Sequence, residues 1–441
     1  MKTAITILIC RLLRFAGSLL GRGSSLPGEI ALKLCPDILS RVRLPRTVIA
    51  VTGSNGKTST VEMIAHILTS AGKSFAYNRE GSNQIEGVTA LILCSCTLSG
   101  RFRKDILLIE SDERYAKHTF KYVKPTHYVI TNLYRDQLTR NGHPEWVYDA
   151  IKDSIPESCR LIVNADDPLV SLFARGRENT IRFGMDRQSF STDENTGVYD
   201  DGKYCPVCFG RMEYSFRHYN HIGSYRCTSC GYRREEPDHR ITLADLDAGY
   251  LIIDGKNRID LAFRSIYNAY NILACYTLCR EIGLDGGFVA SGISNYVLKN
   301  GRVVNFRLGA TEGMLITSKH ENSVSYDQSL RYISQQKEPH AVSVTVDAIS
   351  RKYFTSDTSW LWDIDFDLLD TPETEHIYLC GRYADDLAVR FSYTGIDPEK
   401  ITVTESIPES LNAIKKSGHS RLYAVTCFSD KDKILSRVER G

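Results

Sequence analysis

The sequence lacks several features that would assign its class directly. Of its 441 residues, 55 are Lys or Arg and 53 are Asp or Glu, so the formal net charge is only +2. This balance gives no electrostatic argument for nucleic acid or an anionic membrane as a partner. No internal repeat or low-complexity segment is present, which argues against a repeat architecture. The apolar run at residues 1–10 is too short to span a bilayer.

The bulk composition is instead that of a globular protein. Apolar residues make up 42% of the chain and charged residues 24%, as is usual for soluble domains. A chain of this length exceeds one ordinary hydrophobic core, so we expect two or three domains.

The N-terminal segment needs its own interpretation because residues 1–10 are largely apolar. Arg11 and Arg14 interrupt the run early, and no small-residue cleavage site follows an apolar core. We expect an amphipathic helix with its arginines on one face, in a cytoplasmic protein. An exported leader and a loose contact with the inner face of the membrane are the alternatives.

Thirteen cysteines are present, and nine of them are scattered, mostly in apolar stretches typical of reduced core cysteines. The other four form two CxxC pairs with eighteen residues between them: Cys205, Cys208, Cys227 and Cys230. This spacing predicts a zinc ribbon over residues 200–240, and two unrelated or redox-active pairs are the alternative. Because four thiolates leave no open coordination position, such a zinc would be structural.

Short apolar runs rich in β-branched residues alternate with helix-like stretches along the first half of the chain. The runs at 47–52, 106–109, 128–131 and 161–163 are typical of strands buried on both faces of a parallel sheet. The stretches 59–71 and 266–281 are typical of helices, and Gly283 ends the second. This alternation predicts an α/β fold.

Polar residues follow each of these predicted strands at once. They read GSNGK at 53–57, ESDE at 110–113, NLYRD at 132–136 and NADD at 164–167. Ligands of open parallel sheets bind beyond the carboxyl ends of the strands, so these polar clusters indicate a site.

The segment 52–59, TGSNGKTS, lies between a predicted strand and a predicted helix, as in phosphate-binding loops. Glycines let backbone N–H groups surround phosphate oxygens, and the helix N-terminus adds positive potential. Lys57 would reach the outer phosphates and Thr58 would hold Mg²⁺. We expect ATP to bind at Gly53, Asn55, Gly56, Lys57, Thr58 and Ser59; a glycine turn followed by a chance Lys-Thr pair is the alternative.

The phosphate loop and four further motifs resemble those of the Mur ligase family. The loop is similar to the GTNGKT loop of Mur ligases and folylpolyglutamate synthetases. The other motifs are YNREGSN at 77–83, TNLYRDQ at 131–137, YNAYN at 267–271 and NGR at 300–302. By this resemblance, Glu110 binds Mg²⁺, Asn268 and Asn271 belong to the helix start that touches adenine, and Arg302 contacts the nucleotide.

A zinc ribbon inside a Mur-like ATPase domain resembles one branch of the family, the ligase subunits that amidate lipid II. The resemblance covers nearly the whole chain and includes LPGEIA at 26–31, HYN at 218–220 and DTSWLWD at 357–363. It implies ATP-dependent conversion of the D-glutamate α-carboxylate to D-isoglutamine through an acyl phosphate.

The same branch takes its ammonia from a GatD-like glutaminase subunit in a heterodimer. No cysteine of this chain lies in a nucleophile turn such as GxCxG, so a partner of this kind is expected. By resemblance, Asp357 completes the catalytic group of that partner; a surface aspartate that caps a helix is the alternative.

The resemblance also fixes the expected architecture. We expect a helical segment over 1–46, a Mur ligase central ATPase domain with a parallel sheet over 47–304, and a smaller Rossmann-like α/β domain over 305–441. The zinc ribbon would be inserted in the ATPase domain.

The C-terminal motifs depart from the family. KHENS at 319–323 lacks the proline and glycine of the usual KNPAG-like segment, and 346–357 replaces a run that reads NDNxADGRD. Two alternatives follow: a ligase that acts on another carboxylate, and a non-catalytic ATP-binding scaffold. A nucleic-acid role for the zinc ribbon, based on its arginines, is a further alternative.

Overall fold

The structure is a computed structural model of the full chain, and it describes residues 1–19, 25–78, 82–137, 141–297, 303–349 and 357–440. The chain forms two compact units. The first contains residues 1–134, 144–196 and 200–297, and the second contains 135–143, 197–199 and 298–441.

The described part of the first unit contains a nine-stranded sheet and a separate two-stranded hairpin. Its strands are β1 (Thr47–Thr52), β2 (Phe75–Tyr77), β3 (Ile106–Glu110), β4 (His127–Ile130), β5 (Arg160–Asn164), β6 (Thr180–Met185), β7 (Met212–Tyr219), β8 (Ile222–Cys227), β9 (His239–Asp245), β10 (Tyr250–Ile253) and β11 (Asn257–Asp260). The sheet order is β11-β10-β9-β6-β5-β4-β1-β3-β2, and β7 pairs with β8.

From β2 to β9 every neighbouring pair in this sheet is parallel, and β10 pairs antiparallel with both β9 and β11. The predicted apolar runs correspond to β1, β3, β4 and β5, whose inner residues are fully buried. The predicted parallel α/β fold is therefore confirmed. Because β1 lies between β3 and β4, the chain reverses its direction of strand addition at β1, where ligands of such sheets bind.

Helices pack around this sheet. The described α-helices are Lys2–Leu19, Leu26–Leu34, Lys57–Ser70, Ile85–Ser95, Ala116–Phe120, Pro144–Lys152, Pro168–Ser171, Ile266–Glu281 and Gly286–Ser294, and the described 3₁₀ helices are Ile38–Arg41 and Leu172–Ala174. Ile266–Glu281 has the predicted bounds, and Gly283 follows it in the left-handed region. Among the described helices, none combines the length and the apolarity needed to cross a membrane.

The N-terminal helices belong to the first unit. Lys2–Leu19 packs on Leu26–Leu34 and on Ile85–Ser95. Their shared core contains Ile7, Ala31 and Val88, all fully buried. The segment that the sequence assigns to 1–46 thus packs on the sheet domain, and its status as a separate domain stays a prediction.

The second unit contains a seven-stranded sheet over its described residues. Its strands are β12 (Val303–Leu308), β13 (Thr311–Ser318), β14 (His340–Thr345), β15 (Thr374–Cys380), β16 (Ile401–Thr404), β17 (Arg421–Cys427) and β18 (Glu439–Arg440), in the order β16-β15-β14-β17-β13-β12-β18. The five strands from β16 to β13 are parallel, and β12 pairs antiparallel with both β13 and β18.

The helices of the second unit are Ser323–Ser334, Ala384–Phe391, Ile407–Ser417 and Lys431–Leu435, with 3₁₀ helices at Ser359–Asp363, Phe366–Leu369 and Pro398–Lys400. A core of Tyr326, Leu330, Val344, Phe366 and Phe391 fills one face of the sheet. This arrangement is the expected second α/β unit.

Candidate active site and metal centre

The phosphate loop follows β1, and its two glycines have conformations and surroundings that exclude other residues. Gly53 has φ +136° and Gly56 has φ +83°. A Cβ on Gly53 would lie 2.1 Å from Thr131 Oγ1, and a Cβ on Gly56 would lie 1.9 Å from Asn271 Oδ1. Both positions therefore need glycine for backbone conformation and for space.

The segment after β4 fixes the shape of this loop. The Asn55 N–H donates to Asn132 Oδ1 at 2.8 Å, and Asn132 Nδ2 donates to the Asn55 carbonyl at 3.0 Å. Thr131 Oγ1 also donates to the Asn55 carbonyl, at 2.9 Å. The TNLYRDQ motif thus supports the phosphate loop, a role that its sequence alone did not reveal.

Lys57 begins the helix Lys57–Ser70 and is buried. Its Nζ donates to the Gly53 carbonyl at 2.5 Å and forms an ion pair with the carboxylate of Glu113, which is also buried. Both groups are largely withdrawn from water, so the pair holds the ammonium within the loop. Sequence reasoning placed Glu113 in a polar cluster and did not identify it as the partner of Lys57, which lies 56 positions away.

Glu110 ends β3, directly beside Val51 of β1. It is buried, and Asn78 binds its backbone on both sides: the Glu110 N–H donates to Asn78 Oδ1 at 2.8 Å, and Asn78 Nδ2 donates to the Glu110 carbonyl at 3.0 Å. Asn83 Nδ2 donates to Glu110 Oε1 at 3.4 Å. The asparagines of the YNREGSN motif thus position a buried carboxylate next to the phosphate loop; residues 79–81 lie outside the described part.

The other predicted nucleotide contacts are placed as follows. Thr58 and Ser59, in the first turn of Lys57–Ser70, are partly exposed. Asn268 and Asn271 lie in the first turns of Ile266–Glu281, and Asn271 lies against Gly56. Arg302 lies outside the described residues, so its predicted role is untested.

The four ribbon cysteines converge at one end of the β7–β8 hairpin. All four Sγ atoms lie within 4.8 Å of one another, with Cys205 to Cys230 at 3.7 Å and Cys208 to Cys227 at 3.5 Å. Ligands at the vertices of a tetrahedron with Zn–S bonds of about 2.3 Å lie about 3.8 Å apart. The thiols therefore fit a tetrahedral metal ion such as zinc.

Backbone N–H groups surround these sulfurs. The N–H groups of Cys230 and Ser229 each donate to Cys227 Sγ at 3.4 Å, and this lowers the pKa of the Cys227 thiol to about 6. Burial raises the pKa of Cys205 to about 12. Backbone N–H donors thus favour the thiolate form of Cys227, whereas burial favours the neutral thiol of Cys205.

The hairpin is joined to the sheet domain through two buried aspartates at the end of β5. Asp166 accepts hydrogen bonds from Tyr270 Oη and Arg234 Nε, both at 2.6 Å. Asp167 accepts from the Leu133 N–H at 2.9 Å, and His221 lies 3.7 Å from its Oδ2. Burial alone would lower the pKa of His221, but the contact with Asp167 outweighs it and raises that pKa.

These contacts bear on the nucleic-acid alternative. Arg217 pairs with Asp200, Arg234 pairs with Asp166, and Arg226 pairs with Glu213. Because these three arginines of the ribbon are already used in intramolecular pairs, the structure offers little support for a basic nucleic-acid surface there.

The altered KHENS segment keeps a polar site within the second unit. Lys319 Nζ forms an ion pair with Asp136, and Asn322 Nδ2 donates to the other oxygen of Asp136 at 2.8 Å. Asn322 Oδ1 also accepts from the Ser325 N–H at 2.8 Å and caps the helix Ser323–Ser334. Lys319 and Asn322 thus have defined contacts in a segment that lacks the proline and glycine of the family pattern.

Asp357 is exposed and lies just before the 3₁₀ helix Ser359–Asp363. Its Oδ1 accepts a hydrogen bond from the Ser359 N–H at 2.9 Å. This local contact is the one expected of a turn-forming aspartate. Because the side chain is exposed, it is also accessible to a partner protein, and its predicted role stays a prediction.

Comparison with known protein families matches two segments of the chain. Residues 51–227 match the Mur ligase middle domain, and residues 320–430 match the MurT ligase C-terminal domain. The first range contains the phosphate loop and the ribbon cysteines up to Cys227. The second contains the helix Ser323–Ser334 and the strands from β14 to β17.

Whole-chain relatives agree with these matches. The chain is 30% identical to the lipid II isoglutaminyl synthase (glutamine-hydrolyzing) subunit MurT of Staphylococcus aureus, over 90% of this chain and 89% of that protein. It is 31% identical to the MurT subunit of Streptococcus pneumoniae, over 97% and 95% of the two chains.

A solved structure shares the fold. A pseudomurein peptide ligase type C from Methanothermus fervidus superposes with a TM-score of 0.69 at 20% identity, over 91% of this chain and 80% of that one. The chain therefore belongs to the MurT family of Mur ligases and is an ATP-dependent carbon–nitrogen ligase.

Proposed function

We propose that this chain amidates the α-carboxylate of D-glutamate in lipid II, a peptidoglycan precursor, and so forms D-isoglutamine. The names of its MurT relatives state that those proteins act on lipid II, form an isoglutaminyl product and hydrolyse glutamine as part of a complex. The structural observation that carries the proposal is the placement of Lys57, Glu110 and Glu113 at the carboxyl ends of two adjacent parallel strands.

The first step transfers a phosphoryl group. A carboxylate oxygen of the substrate attacks the γ-phosphorus of ATP, the bond to the β-γ bridging oxygen breaks, and ADP leaves. Lys57 and the N–H groups of the phosphate loop stabilise the charge of the moving group. Asn268, Asn271 and Arg302 bind the remainder of the nucleotide.

The oxygen-bearing side chains near the loop fit Mg²⁺, which prefers carboxylate and hydroxyl oxygens. Glu110 would hold the ion together with Thr58 or Ser59. When bound, Mg²⁺ neutralises phosphate charge. The contacts of Asn78 with the Glu110 backbone keep this carboxylate in place.

The second step forms the amide. Ammonia attacks the acyl carbon of the acyl phosphate, the carbon–oxygen bond to phosphate breaks, and inorganic phosphate leaves while the nitrogen loses a proton to solvent. The ligase chain thus needs ammonia, and a GatD-like glutaminase subunit would supply it in a heterodimer.

Asp357 is the residue that we assign to this partner. An exposed carboxylate that orients a histidine of the glutaminase would act as the third group of a triad. Asp357→Asn should abolish glutamine-dependent amidation while ammonium-dependent amidation continues. Equal loss of both activities, or of neither, would exclude this role.

We also propose that a structural zinc ion is bound by Cys205, Cys208, Cys227 and Cys230. We also propose that the ATPase domain spans 47–304, with the ribbon at about 200–240, that the C-terminal domain spans 305–441, and that the protein acts in the cytoplasm.

The route through an acyl phosphate has a direct test. Lipid II carrying oxygen-18 in the D-glutamate α-carboxylate is incubated with the chain, ATP and ammonium, and the released phosphate is analysed by mass spectrometry. One oxygen-18 per phosphate is expected. Amidation with unlabelled phosphate would refute the acyl phosphate. Phosphate release without amidation would favour a substrate with another carboxylate. This is the second candidate function, because the KHENS segment departs from the family pattern. Absence of ATP turnover would favour the scaffold alternative.

A further inference from the structure

The helix Lys2–Leu19 is apolar on two opposite faces. One face packs into the protein through Ile7 and Cys10, both fully buried. The large apolar residues of the other face are exposed: Ile5 by 50%, Leu8 by 49%, Leu12 by 59%, Phe15 by 67% and Leu19 by 73%. Scattered exposed leucines are ordinary on protein surfaces, but five large apolar residues on one helix are not.

Their spacing makes them one continuous stripe. Steps of three and four residues keep side chains on the same side of a helix, and the exposed residues follow each other by three, four, three and four positions. Thr6, Ile7 and Cys10 point away from this stripe and towards the helices Leu26–Leu34 and Ile85–Ser95. The apolar stripe, Ile5 to Leu19, is therefore not part of the core of its own unit.

The charges of the helix limit what can cover the stripe. Lys2, Arg11 and Arg14 are its only charged residues, and it contains no acidic residue. Arg11 donates to the Cys96 carbonyl, beside the packed face, and no carboxylate of the helix offsets the positive charge that two copies paired along their stripes would share. An anionic surface has the complementary charge, and basic helices with Leu and Phe on the opposite side are those that bind membrane interfaces.

We propose that the helix Lys2–Leu19 lies flat on an anionic lipid bilayer, with the stripe of Ile5, Leu8, Leu12, Phe15 and Leu19 in the interface. The opposite face is packed on the protein, so only the stripe can enter the lipid. The role of this membrane contact rests on the proposed function. A lipid-linked substrate stays in the membrane, and the helix would bring the ligase to it.

The test is flotation of the full chain with vesicles of phosphatidylcholine, with and without phosphatidylglycerol. Phe15→Glu is compared with Trp146→Glu, since Trp146 is equally exposed, at 68%, on another helix. We expect the wild type and Trp146→Glu to float with the anionic vesicles, more weakly at high salt. Phe15→Glu should lower the partition coefficient at least about 10-fold, because each large apolar side chain contributes more than about 1.4 kcal/mol when buried.

Three outcomes would overturn the proposal: no flotation of the wild type, equal flotation of Phe15→Glu, or equal loss in Trp146→Glu. Loss of a concentration-dependent dimer in Phe15→Glu, without any vesicle binding, would assign the stripe to a second copy instead. Amidation of lipid II in detergent separates the two hypotheses. Without product the proposed function fails, whereas product without vesicle binding refutes only the membrane contact.

Discussion

At the scale of single residues, the phosphate loop is held by groups with little freedom. Gly53 and Gly56 have no space for a side chain, Asn132 binds both backbone groups of Asn55, and Glu113 pairs with Lys57. The loop is thus shaped before nucleotide arrives, which reduces the entropy lost on binding. Predictions for these residues separate catalysis from folding.

Lys57→Ala should lower ATP turnover at least about 100-fold, because the variant loses the ammonium that stabilises the moving phosphoryl group. It should also destabilise the fold by about 3 kcal/mol, since Glu113 is left as a buried carboxylate without this cation. The double variant Lys57→Ala, Glu113→Gln should recover most of that stability without turnover. Phosphate release and urea denaturation measure the two effects; a double variant that regains turnover would refute the assignment of Lys57.

Gly56→Ala should abolish ATP binding, since its Cβ would displace Asn271 and strain a left-handed backbone. Gly72→Ala is the matched control: Gly72 also has a positive φ, of +65°, but its added Cβ meets nothing within 4 Å. The control should cost only about 1 kcal/mol of stability and keep its ATP affinity. Calorimetric titration with ATP measures the affinities of both variants. Equal affinities of Gly56→Ala and Gly72→Ala would contradict a role for the contact between Gly56 and Asn271.

Asp327 predicts a pH dependence of the second unit. Burial raises the pKa of this carboxyl to about 7, against weaker effects of the Asp365 N–H and of Arg331, which lower it. Between about pH 4 and pH 7 the unfolded chain loses this proton and the folded chain keeps it, so stability falls as the pH rises. Above about pH 7 the carboxyl is ionised in both the folded and the unfolded chain, and the stability falls no further from this cause.

Asp327→Asn keeps an oxygen for the Asp365 N–H, which lies 2.9 Å from Asp327 Oδ1. It should stabilise the second unit by roughly 2–4 kcal/mol at about pH 8 and by much less at about pH 4. Urea denaturation followed by the fluorescence of Trp360 and Trp362 measures this. The exposed Asp370→Asn is the control, and a gain that did not depend on pH would contradict burial of an ionised carboxylate as its cause.

At the scale of elements, the β7–β8 hairpin has one end at the cysteine cluster and the other on the sheet domain. The aromatic and histidine side chains at its turn pack against the segments after β4 and β5: Tyr219 contacts Tyr134, and His221 lies beside Asp167. Its own hydrophobic core is small, consisting of Cys205, Met212, Tyr225 and Cys227 with a few neighbours. We therefore expect a bound metal to order the cysteine end.

The purified chain should contain one zinc per molecule, measured by elemental mass spectrometry, and Cys208→Ala should lose it. Cys94→Ala, outside the cluster, should retain it. Chelation should expose residues 205–230 to limited proteolysis because the small core cannot order them alone. An unchanged cleavage pattern after complete metal removal would mean that the ribbon folds without metal.

The sequence predicted the elements better than their contacts. Local sequence patterns were sufficient to predict β1 and the helix Ile266–Glu281. An apolar run or a terminating glycine can be recognised from a few neighbouring residues. The pairing of Lys57 with Glu113 and of Asp166 with Arg234 joins residues more than fifty positions apart. Such contacts depend on strand order, which no local pattern contains.

At the scale of the whole molecule, each unit has its own parallel sheet and its own polar site. The first contains the phosphate loop with the ribbon, and the second contains the cluster of Asp136, Lys319 and Asn322 together with Asp357. Family membership, the phosphate loop and the buried carboxylates support one proposal: this chain uses ATP to amidate a carboxylate of a lipid-linked peptidoglycan precursor.

The most direct test of that claim is the mass of lipid II after incubation with the purified chain, Mg²⁺, ATP and nitrogen-15 ammonium. We expect one labelled amide on the α-carboxyl of D-glutamate and one ADP per amide, with neither formed by Lys57→Ala. Lipid II that stays unlabelled while the wild type binds ATP would contradict the proposed substrate, and labelling by Lys57→Ala would contradict the site.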